Sequence, residues 1–314
     1  MELIRGLHNL EPRHRGCAVT IGNFDGMHLG HQALIERLRT TARTLGVPAT
    51  AVIFEPTPRE FFAPQAAPPR VAGFRGKIRA LERAGLDRVL CLRFEARLAR
   101  WTPEEFVARV LLQGLGTRAV VVGEDFRFGH RRAGDLALLR ELGTRHGFAV
   151  EGLSGVMVDG QRCSSTALRA ALAEPDLARV EALLGRRYRM FGRVRRGLQL
   201  GRRLGMPTAN LVARHAPALA HGVYAVRAYW HARPEGVAGV ASLGVRPTLG
   251  LSTCLLETHL FEEPGVLYGV ELEIEFWRHL RPQRRFESLD ALAAQMQADA
   301  AAARAFFERQ AEPV

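Results

Sequence analysis

The chain has 314 residues, of which 47% are hydrophobic and 24% are charged, and its formal net charge is +12. This composition is typical of a globular protein with substantial cores, and the length predicts two domains. No apolar run is long enough to cross a bilayer, and the N-terminus lacks the apolar core of a signal peptide. The four cysteines are scattered without metal-binding spacing, which favours a reducing compartment. We therefore expect a cytoplasmic protein.

Nearly all of the positive charge is arginine, because Lys77 is the only lysine in the chain. Residues 1–185 carry 26 basic and 20 acidic side chains, and residues 186–314 carry 18 and 12, so each part has a net charge of +6. This even distribution excludes a basic tail. Arginine suits bidentate recognition of phosphate, so nucleic acid and anionic small molecules such as ATP both fit the charge.

The most informative stretch is Thr20–His31, which reads Thr-Ile-Gly-Asn-Phe-Asp-Gly-Met-His-Leu-Gly-His. The apolar run Cys17–Ile21 enters it, and a helical pattern over Gln32–Gly46 leaves it. A strand, a glycine-rich turn and a helix in this order place backbone N–H groups and a helix N-terminus against a phosphate. Gly22 and Gly26 allow a tight turn that approaches a ligand closely.

His28 and His31 are three residues apart, so they can face the same way on the first turn of the predicted helix. The chain has neither the Gly-x-x-x-x-Gly-Lys-Ser/Thr loop nor a Gly-x-Gly-x-x-Gly run after this strand. His-x-Gly-His at a helix start resembles the signature of the nucleotidylyltransferase superfamily, in which two imidazoles bind ATP phosphates. The alternatives are half of a zinc site and two surface histidines.

Strand-like and helical segments alternate after this turn, which predicts an open parallel α/β sheet. Ligands bind beyond the carboxyl ends of the strands in such sheets. Thr102 is a predicted N-cap, with a proline at the first helical position. The predicted strands are Ala49–Phe54, Arg88–Phe94 and Arg118–Gly123, and the predicted helices are Phe74–Gly85, Pro103–Gln113 and Ala133–Gly147.

Three polar clusters lie at Phe54–Pro58, Gly123–Gly129 and Arg162–Arg169. Each also permits a structural interpretation: a rigid loop for the first, core packing of two phenylalanines for the second, and an N-cap at Ser164 for the third. Together with Gly22–His31, however, the clusters resemble the N-terminal FMN adenylyltransferase domain of bacterial bifunctional riboflavin kinase/FAD synthetases.

This resemblance implies a Rossmann-like sheet and transfer of AMP from ATP to FMN. The FMN phosphate attacks the α-phosphorus, pyrophosphate leaves, and no covalent enzyme intermediate forms. The implied catalytic residues are His28, His31 and Arg169. The implied ATP-binding residues are Gly22, Asn23, Phe24, Asp25, Gly26, Ser165 and Thr166, and the implied flavin-binding residues are Phe54, Thr57, Asp125, Phe126 and Phe128.

Two residues depart from the family pattern. Thr57 stands where many relatives have histidine, so one imidazole is missing. Ala167 stands where the family usually has arginine, which removes a cation from the pyrophosphate side. Both departures leave open a kinase-only paralogue whose adenylyltransferase domain is inactive.

The composition changes after a short predicted helix over Pro175–Gly185. Arg186–Arg203 holds eight arginines and no acidic residue. This run is either a polyanion-binding patch or a strand with solvated arginines. Short alternating segments and an alanine-rich helix follow, which predict a small antiparallel β-barrel with a terminal helix. The predicted strands are Tyr188–Arg195, Gly222–Trp230, Val237–Leu243, Thr253–Phe261 and Leu272–Trp277, and the helix is Leu289–Phe307.

Five motifs in this half resemble the riboflavin kinase domain of the same family: Leu200–Asn210, Gly244–Thr248, Leu256–Leu260, Leu267–Gly269 and Leu280–Phe286. The resemblance implies that Thr208 and Asn210 bind Mg²⁺ and ATP, and that Gly201 to Gly205 form a flap over the nucleotide. It further implies that Glu257 is the general base and that Arg281 binds flavin.

Structural alternatives exist here as well, because a lone Glu on a strand is usually solvated and Pro-Thr-Ala-Asn is usually a turn. Departures from the kinase pattern are Ser242, where relatives often have asparagine, and Arg195 and Arg196, near a position often held by histidine. Neither departure changes the expected base.

The sequence therefore predicts an FMN adenylyltransferase domain over residues 1–185 and a riboflavin kinase domain over residues 186–314. The expected partners are riboflavin, FMN, ATP and Mg²⁺, with FMN and FAD as products, and neither a membrane nor a nucleic acid. We expect a monomer or a weak homo-oligomer. The alternatives are the kinase-only paralogue, a flavin-responsive RNA-binding regulator and a nucleotidylyltransferase for another substrate.

Overall fold

The computed structural model describes residues 1–197, 200–245 and 254–311. It divides into two compact units: Met1–Pro68 with Lys77–Ser164 forms unit 1, and Pro69–Gly76 with Ser165–Val314 forms unit 2. Residues 246–248 of one predicted motif lie outside the described residues. The predicted domain boundary after Gly185 stays a prediction.

Unit 1 contains a six-stranded sheet in which every neighbouring pair is parallel. The central strands are almost wholly buried, as their valine- and alanine-rich sequences predict for a parallel sheet. The spatial order is β1-β4-β3-β2-β5-β6. The strands are β1 Glu2–Arg5, β2 Ala18–Ile21, β3 Ala49–Glu55, β4 Arg88–Arg93, β5 Ala119–Gly123 and β6 Ala149–Leu153.

Helices connect these strands, and the longest follows β2 directly. A π-helical segment, Val107–Gly114, continues α5, where the sequence predicts one helix. Thr102 caps α5 as predicted, in a capping box with Glu105. The helices are α1 Leu29–Leu45, α2 Pro58–Phe62, α3 Phe74–Arg83, α4 Ala96–Ala99, α5 Pro103–Phe106 and α6 Leu136–His146. A short hairpin follows, formed by β7 Met157–Val158 and β8 Gln161–Arg162.

The strand order places the His-x-Gly-His stretch at the point where the connections change direction. From β2 the chain continues to β3 on one side, and it later returns to place β5 on the other side. Such a switch point opens a crevice at the carboxyl ends of the two strands, where open α/β sheets bind ligands. The predicted Rossmann-like architecture is confirmed. The edge strands β1 and β6 are not predicted by the sequence, because their short, mixed patterns resemble loops.

Unit 2 is built around a six-stranded antiparallel sheet in the order β10-β13-β12-β11-β14-β9. The two end strands approach each other, since the backbone of Arg195 just after β9 bridges Asn210 of β10. The sheet thus closes into the predicted small barrel. Its strands are β9 Arg189–Arg193, β10 Ala209–Ala213, β11 Gly222–Trp230, β12 Arg233–Val245, β13 Cys254–Leu260 and β14 Glu271–Pro282.

Four helices accompany the barrel: α7 Ser165–Ala173, α8 Leu177–Leu184, α9 Leu200–Arg203 and the terminal α10 Leu289–Ala311. The apolar face of α10 packs on the sheet through Ala300, Ala303 and Phe307 against Val223 and Val240. None of the described helices combines the length and the apolarity that a bilayer crossing requires.

Several arginines of the run have charged or aromatic partners within unit 2. Arg187 lies over the Trp277 ring at 3.4 Å, and Arg196 lies over Tyr268 at 5.2 Å. Arg189 and Arg193 pair with glutamates of β14. Guanidinium groups held in this way are poorly placed to form a general polyanion-binding surface. For these four arginines, the interpretation as strand residues therefore fits better than a polyanion-binding patch.

One partly buried ion pair ties α10 to the barrel. Arg281 of β14 donates Nε and Nη2 to the two carboxylate oxygens of Asp299, at 2.9 and 2.7 Å. Gln295 donates to the same carboxylate at 2.7 Å. Asp299 is almost fully buried, so removal of its charge would leave a guanidinium without its partner in a poorly hydrated place.

Asp299→Asn is therefore expected to lower the free energy of unfolding of unit 2 by about 2–4 kcal/mol. The matched control is Glu262→Gln, which breaks an exposed ion pair with Arg233 and should cost no more than about 1 kcal/mol. Urea unfolding of both variants measures the difference. Equal losses would show that the Arg281–Asp299 pair contributes no more than a surface ion pair.

Candidate active sites

The first candidate site lies in the loop between β2 and α1. Phe24 and Met27 have φ values of 46° and 50°, in the left-handed region that few non-glycine residues adopt. Both side chains are buried, at 0% and 3% exposure. The backbone strain is thus compensated by packing, and strain of this kind is concentrated at functional sites.

His28 ends this loop and caps α1. Its Nδ1 accepts the backbone N–H of His31 at 3.4 Å, so the ring proton lies on Nε2 in the neutral form. The two imidazole rings stack at 3.7 Å with an angle of 23°. A Cβ atom on Gly30 would lie 3.2 Å from the His28 ring. The glycine of His-x-Gly-His therefore leaves room for the first histidine to fold over the helix start.

The environment of His31 keeps its ring neutral. Its Nδ1 is buried and has no hydrogen-bond partner among the described residues. Burial, followed by the nearby positive charges of His28 and Lys77, holds the pKa of His31 well below its usual 6.5. A neutral imidazole can donate one N–H to a phosphate but contributes no positive charge.

The remaining loop residues differ in exposure. Asn23 is exposed, Asp25 is half-buried and Gly26 is buried with φ 91°. Gly22 donates its backbone N–H to Val52 of β3 at 3.1 Å, which fixes the loop to the sheet. The Phe24 ring lies 5.1 Å from the His31 ring. Because its side chain is wholly buried, Phe24 supports His31, and only its backbone could approach a nucleotide.

The three phenylalanines predicted for the flavin site belong to one aromatic cluster. Phe126 stacks on Phe128 at 5.4 Å, Phe128 contacts Phe106 at 6.0 Å, and Phe106 contacts Phe54 at 6.4 Å. Phe106 and Phe128 are buried in the core of unit 1, whereas Phe54 and Phe126 are only partly buried. The latter pair is thus better placed to contact a flat ligand. The sequence analysis missed Phe106, whose helical pattern indicates only a core position.

Two further predicted flavin residues have partners within unit 1. Asp125 is exposed, and its carboxylate lies 2.9 Å from the guanidinium of Arg162. Thr57 is the N-cap of α2, where its hydroxyl accepts the N–H of Glu60 and the Glu60 carboxylate accepts the N–H of Thr57. The Thr57 side chain therefore stabilises a helix start at the carboxyl end of β3.

The late motif lies at the start of α7. The carbonyl oxygen of Cys163 would lie 3.5 Å from a Cβ atom on Gly30, so the chain just before α7 reaches the start of α1 within unit 1. Ser165 and Arg169 are half-buried and Thr166 is exposed. These three side chains belong to unit 2, on the first two turns of α7.

The second candidate site is a row of side chains across the barrel sheet. Asn210 of β10 faces Glu257 of β13 directly, and Glu257 faces Ser242 of β12. Ser242 faces Val223, which in turn faces Arg281. Side chains at paired positions of an antiparallel sheet project from the same face. The register therefore brings the predicted metal-binding amide and the predicted base side by side.

Four members of this row form one wall of a cavity of about 580 Å³ in unit 2: Val223, Ser242, Glu257 and Arg281. The cavity is also lined by Gly201, Thr208 and His259, and the segment after β14 covers another side. Four predicted kinase residues thus line one cavity: Gly201, Thr208, Glu257 and Arg281. Arg281 is engaged by Asp299, so it reaches the cavity as half of an ion pair rather than as a free cation.

The amide oxygen of Asn210 and the hydroxyl of Thr208 are the kind of ligands that suit a hard cation. Its Oδ1 is buried and has no hydrogen-bond partner among the described residues, and its Nδ2 donates to the Thr208 carbonyl at 3.4 Å. In the described part of the chain, no cluster of three or more His, Cys, Asp and Glu side chains could hold a metal ion. A hydroxyl and an amide oxygen, completed by phosphate and water, suit Mg²⁺ better than zinc.

The predicted flap is a compact turn. The carbonyl oxygen of Gly201 accepts the N–H groups of Leu204 and Met206 at 3.1 and 2.7 Å, and Gly205 has φ 75°. A Cβ atom on Gly201 would lie 2.4 Å from the Met206 carbonyl oxygen and 3.4 Å from the Thr208 hydroxyl. The flap and the Thr208 side chain are therefore packed against each other.

Comparisons with known proteins agree in both halves of the chain. The family model for FAD synthetase matches residues 10–167, and that for riboflavin kinase matches residues 184–307. A bifunctional riboflavin kinase/FMN adenylyltransferase of Pseudomonas fluorescens is 49% identical over 306 residues, which cover 97% of each chain. The protein of that name from Escherichia coli K12 is 42% identical and covers 98% of both chains.

The chain belongs to the bifunctional riboflavin kinase/FMN adenylyltransferase family. It is therefore a transferase. A relative from Haemophilus influenzae is 43% identical over 98% of this chain. A solved structure from Streptococcus pneumoniae, described as a macrolide-efflux protein, has a TM-score of 0.79 and 25% identity and covers 97% of this chain and 99% of that chain. We take only the shared architecture from that likeness.

Within this family framework, the structure groups the predicted residues in different ways. His28, His31 and the loop before them form one group in unit 1, and the aromatic residues form a second. Asn210 and Glu257 form a third group in unit 2, with Thr208 lining the same cavity as Glu257. The sequence analysis missed His259, although its motif contains that residue, because a strand pattern does not indicate which partner a side chain will meet.

The low pKa of His31 can be tested by NMR. The imidazole signal identified by comparison with His31→Gln should begin to shift only well below pH 6.5, because its charged form is desolvated. The unfolded chain binds this proton at a higher pH than the folded chain. The free energy of unfolding of unit 1 should therefore decrease as the pH is lowered from about 6.5, by no more than about 1.4 kcal/mol per pH unit. A titration midpoint at or above 6.5 would contradict the burial argument.

Gly201→Ala tests the packing of the flap in this kinase family. The added methyl group cannot fit beside the Met206 carbonyl, so the turn must move away from Thr208. We expect at least a tenfold loss in kcat/KM for ATP in the kinase assay, or about 1.4 kcal/mol. Gly73→Ala is the control, since Gly73 has open space and no positive φ. Similar activities of the two variants would contradict this account.

Proposed function

We propose that the chain phosphorylates riboflavin to FMN at the barrel cavity and adenylylates FMN to FAD at the carboxyl end of the parallel sheet. The observation that supports the first activity best is that Glu257, which lines the cavity, is the direct register partner of Asn210. The second activity is supported by the stacked histidines at a capped helix start. We further propose residues 1–185 and 186–314 as the two catalytic domains.

In the kinase reaction, Glu257 accepts the proton of the riboflavin 5′-hydroxyl. A hydroxyl is a poor nucleophile, so a base at hydrogen-bond distance is needed as its oxygen bonds to the γ-phosphorus of ATP and the bond from that phosphorus to the departing ADP breaks. Glu257 is half-buried and lines the cavity, which gives its carboxylate access to a substrate. The flap from Gly201 to Gly205 covers the nucleotide and limits its exposure to water.

Thr208 and Asn210 would hold Mg²⁺ through oxygen atoms, together with ATP phosphates and water. When bound, the ion would neutralise charge that develops on the phosphates. The buried Asn210 Oδ1, which has no hydrogen-bond partner among the residues that the structure describes, supports this role. The amide group orients this oxygen while its Nδ2 remains attached to the Thr208 carbonyl.

In the adenylyltransferase reaction, the FMN phosphate is already an anion and needs no base. Its oxygen bonds to the α-phosphorus of ATP as the bond to pyrophosphate breaks. In unit 1, His28 and His31 donate N–H groups to the phosphates at the start of α1. In unit 2, Ser165, Thr166 and Arg169 of α7 stay predicted phosphate-binding residues. Gly22, Asn23, Asp25 and Gly26 shape the ATP loop, to which Phe24 contributes backbone.

The flavin ring of FMN would lie against the exposed faces of Phe54 and Phe126, supported by Phe128. Thr57 and Asp125 lie at the ends of β3 and β5 beside this cluster. Stacking on aromatic side chains suits a flat, polarisable ring. Arg281, held by Asp299, would contact the flavin in the kinase cavity as a positioned hydrogen-bond donor.

We also propose that the chain acts in the cytoplasm as a monomer or weak homo-oligomer, without a nucleic acid partner. The four cysteines are buried and free, which suits a reducing compartment.

The kinase-only paralogue rests on Thr57 and Ala167 alone. Relatives named for both activities are 42–49% identical over 97–98% of this chain. Their names favour neither the kinase-only paralogue nor an RNA-binding regulator.

The test separates the two activities with single substitutions. His28→Ala should abolish FAD formation from FMN and ATP while FMN formation from riboflavin survives, because each reaction uses its own phosphate site. Glu257→Ala should do the reverse, with a loss of at least about 100-fold in kcat for the kinase. Chromatography of flavins after incubation with ATP and Mg²⁺ measures both products.

His146→Ala and Glu235→Ala are matched controls, since both residues are exposed and belong to neither candidate site. Both should leave the two activities unchanged. If either active-site substitution removed both activities from a folded protein, the assignment of separate sites would be wrong. If the unchanged protein formed no FMN and no FAD, the proposed function would fail as a whole.

A further inference from the structure

His259 lies two residues after Glu257 on β13, so both side chains project from the same face of the strand. It lines the same cavity, yet the proposed kinase mechanism gives it no role. Its Nδ1 atom lies 2.9 Å from the carbonyl oxygen of Pro207. This contact joins the strand of the base to the loop that carries Thr208.

The chemistry of this contact fixes the position of the ring proton. A carbonyl oxygen can only accept a hydrogen bond, so Nδ1 must be the donor. In the neutral ring, Nε2 is then an acceptor without a proton. The opposite assignment holds for His28, whose Nδ1 accepts a backbone N–H. The two histidines are therefore distinguishable by tautomer.

The contact also lies where the backbone ladder ends. The last register pair between β10 and β13 at this end is Ala209 with Thr258, so Thr208 lies beyond the paired backbone. Pro207 has no N–H group to donate. On the flap side, Met206 donates to Gly201. The His259 side chain thus holds the chain between the flap and β10.

We propose that His259 is a positioning residue for the kinase reaction, which holds the Pro207 carbonyl so that Thr208 keeps its position in the cavity that Glu257 also lines. This inference rests on the proposed kinase function of the cavity. If Thr208 is already held in place, nucleotide binding does not include the entropy cost of ordering this loop. Loss of the bond should therefore weaken nucleotide binding more than it slows the chemical step.

The test compares three substitutions of His259. Asn places an amide N–H near the position of Nδ1 and should preserve the bond to Pro207. Gln places its amide near the position of Nε2, and Ala has no donor, so both should lose it. We expect His259→Ala and His259→Gln to lose about 10–100-fold in kinase kcat/KM for ATP, mainly through KM. His259→Asn should stay within about threefold of the unchanged protein.

Two measurements are independent of kinase turnover. The ¹⁵N spectrum of histidine-labelled protein should show the His259 ring as the Nδ1–H tautomer, identified by its absence in His259→Asn. Calorimetric titration with ADP and Mg²⁺ should show weaker binding to the Ala and Gln variants and recovery in the Asn variant. FAD formation from FMN should be unchanged in all three, which controls for folding.

Each outcome has a distinct meaning. If His259→Asn loses as much activity as His259→Ala while ADP binding is unchanged, the ring acts in the chemistry and the positioning role is wrong. An Nε2–H tautomer, or full activity of His259→Ala, overturns it as well. If the unchanged protein makes no FMN, the kinase function fails, whereas the tautomer and the ADP titration still decide whether His259 holds the loop.

Discussion

A polyphosphate is held well only where its hydrogen-bond donors are fixed before it arrives, and the proposed site in each unit has a loop that is fixed in this way. In unit 1 the loop after β2 is locked by two buried side chains with positive φ and by the cap that His28 provides to α1. In unit 2 the loop before β10 is locked by the flap turn and by His259. Donors ordered in this way lose little freedom when the ligand binds.

The two proposed sites differ in the charges of the side chains that would surround the phosphates. In the proposed unit 1 site, His31 would supply a hydrogen bond without a charge, because burial holds its pKa well below the usual 6.5. That arrangement is sufficient where the nucleophile is itself an anion. In unit 2, Glu257 is the register partner of Asn210. The proposed kinase reaction needs such a carboxylate, because a hydroxyl nucleophile must lose its proton. Elsewhere in unit 2, several arginines pair with glutamates or lie over aromatic rings.

Much of the architecture could be predicted from local patterns. The buried strands β2, β3 and β5 have continuous apolar runs, and the cap at Thr102 has a distinctive sequence, so both are found where expected. The edge strands β1 and β6 and the strand β10 were missed, because each is short and is stabilised by pairing with a distant strand. The π-helical segment after Phe106 has a helical sequence pattern, and its hydrogen-bond period is not encoded locally.

The sequence by itself determined the chemical composition of the two sites: paired histidines at a helix start, and threonine, asparagine and glutamate in a β-rich half. It could do so because these residues occur in short motifs whose local geometry is set by neighbours along the chain. Only the tertiary structure decided their partners. Strand register pairs Asn210 with Glu257, and burial lowers the pKa of His31. Arg281 forms an ion pair with Asp299, and His259 forms a hydrogen bond with the Pro207 carbonyl. Each of these depends on contacts between segments far apart in sequence, which no local pattern specifies.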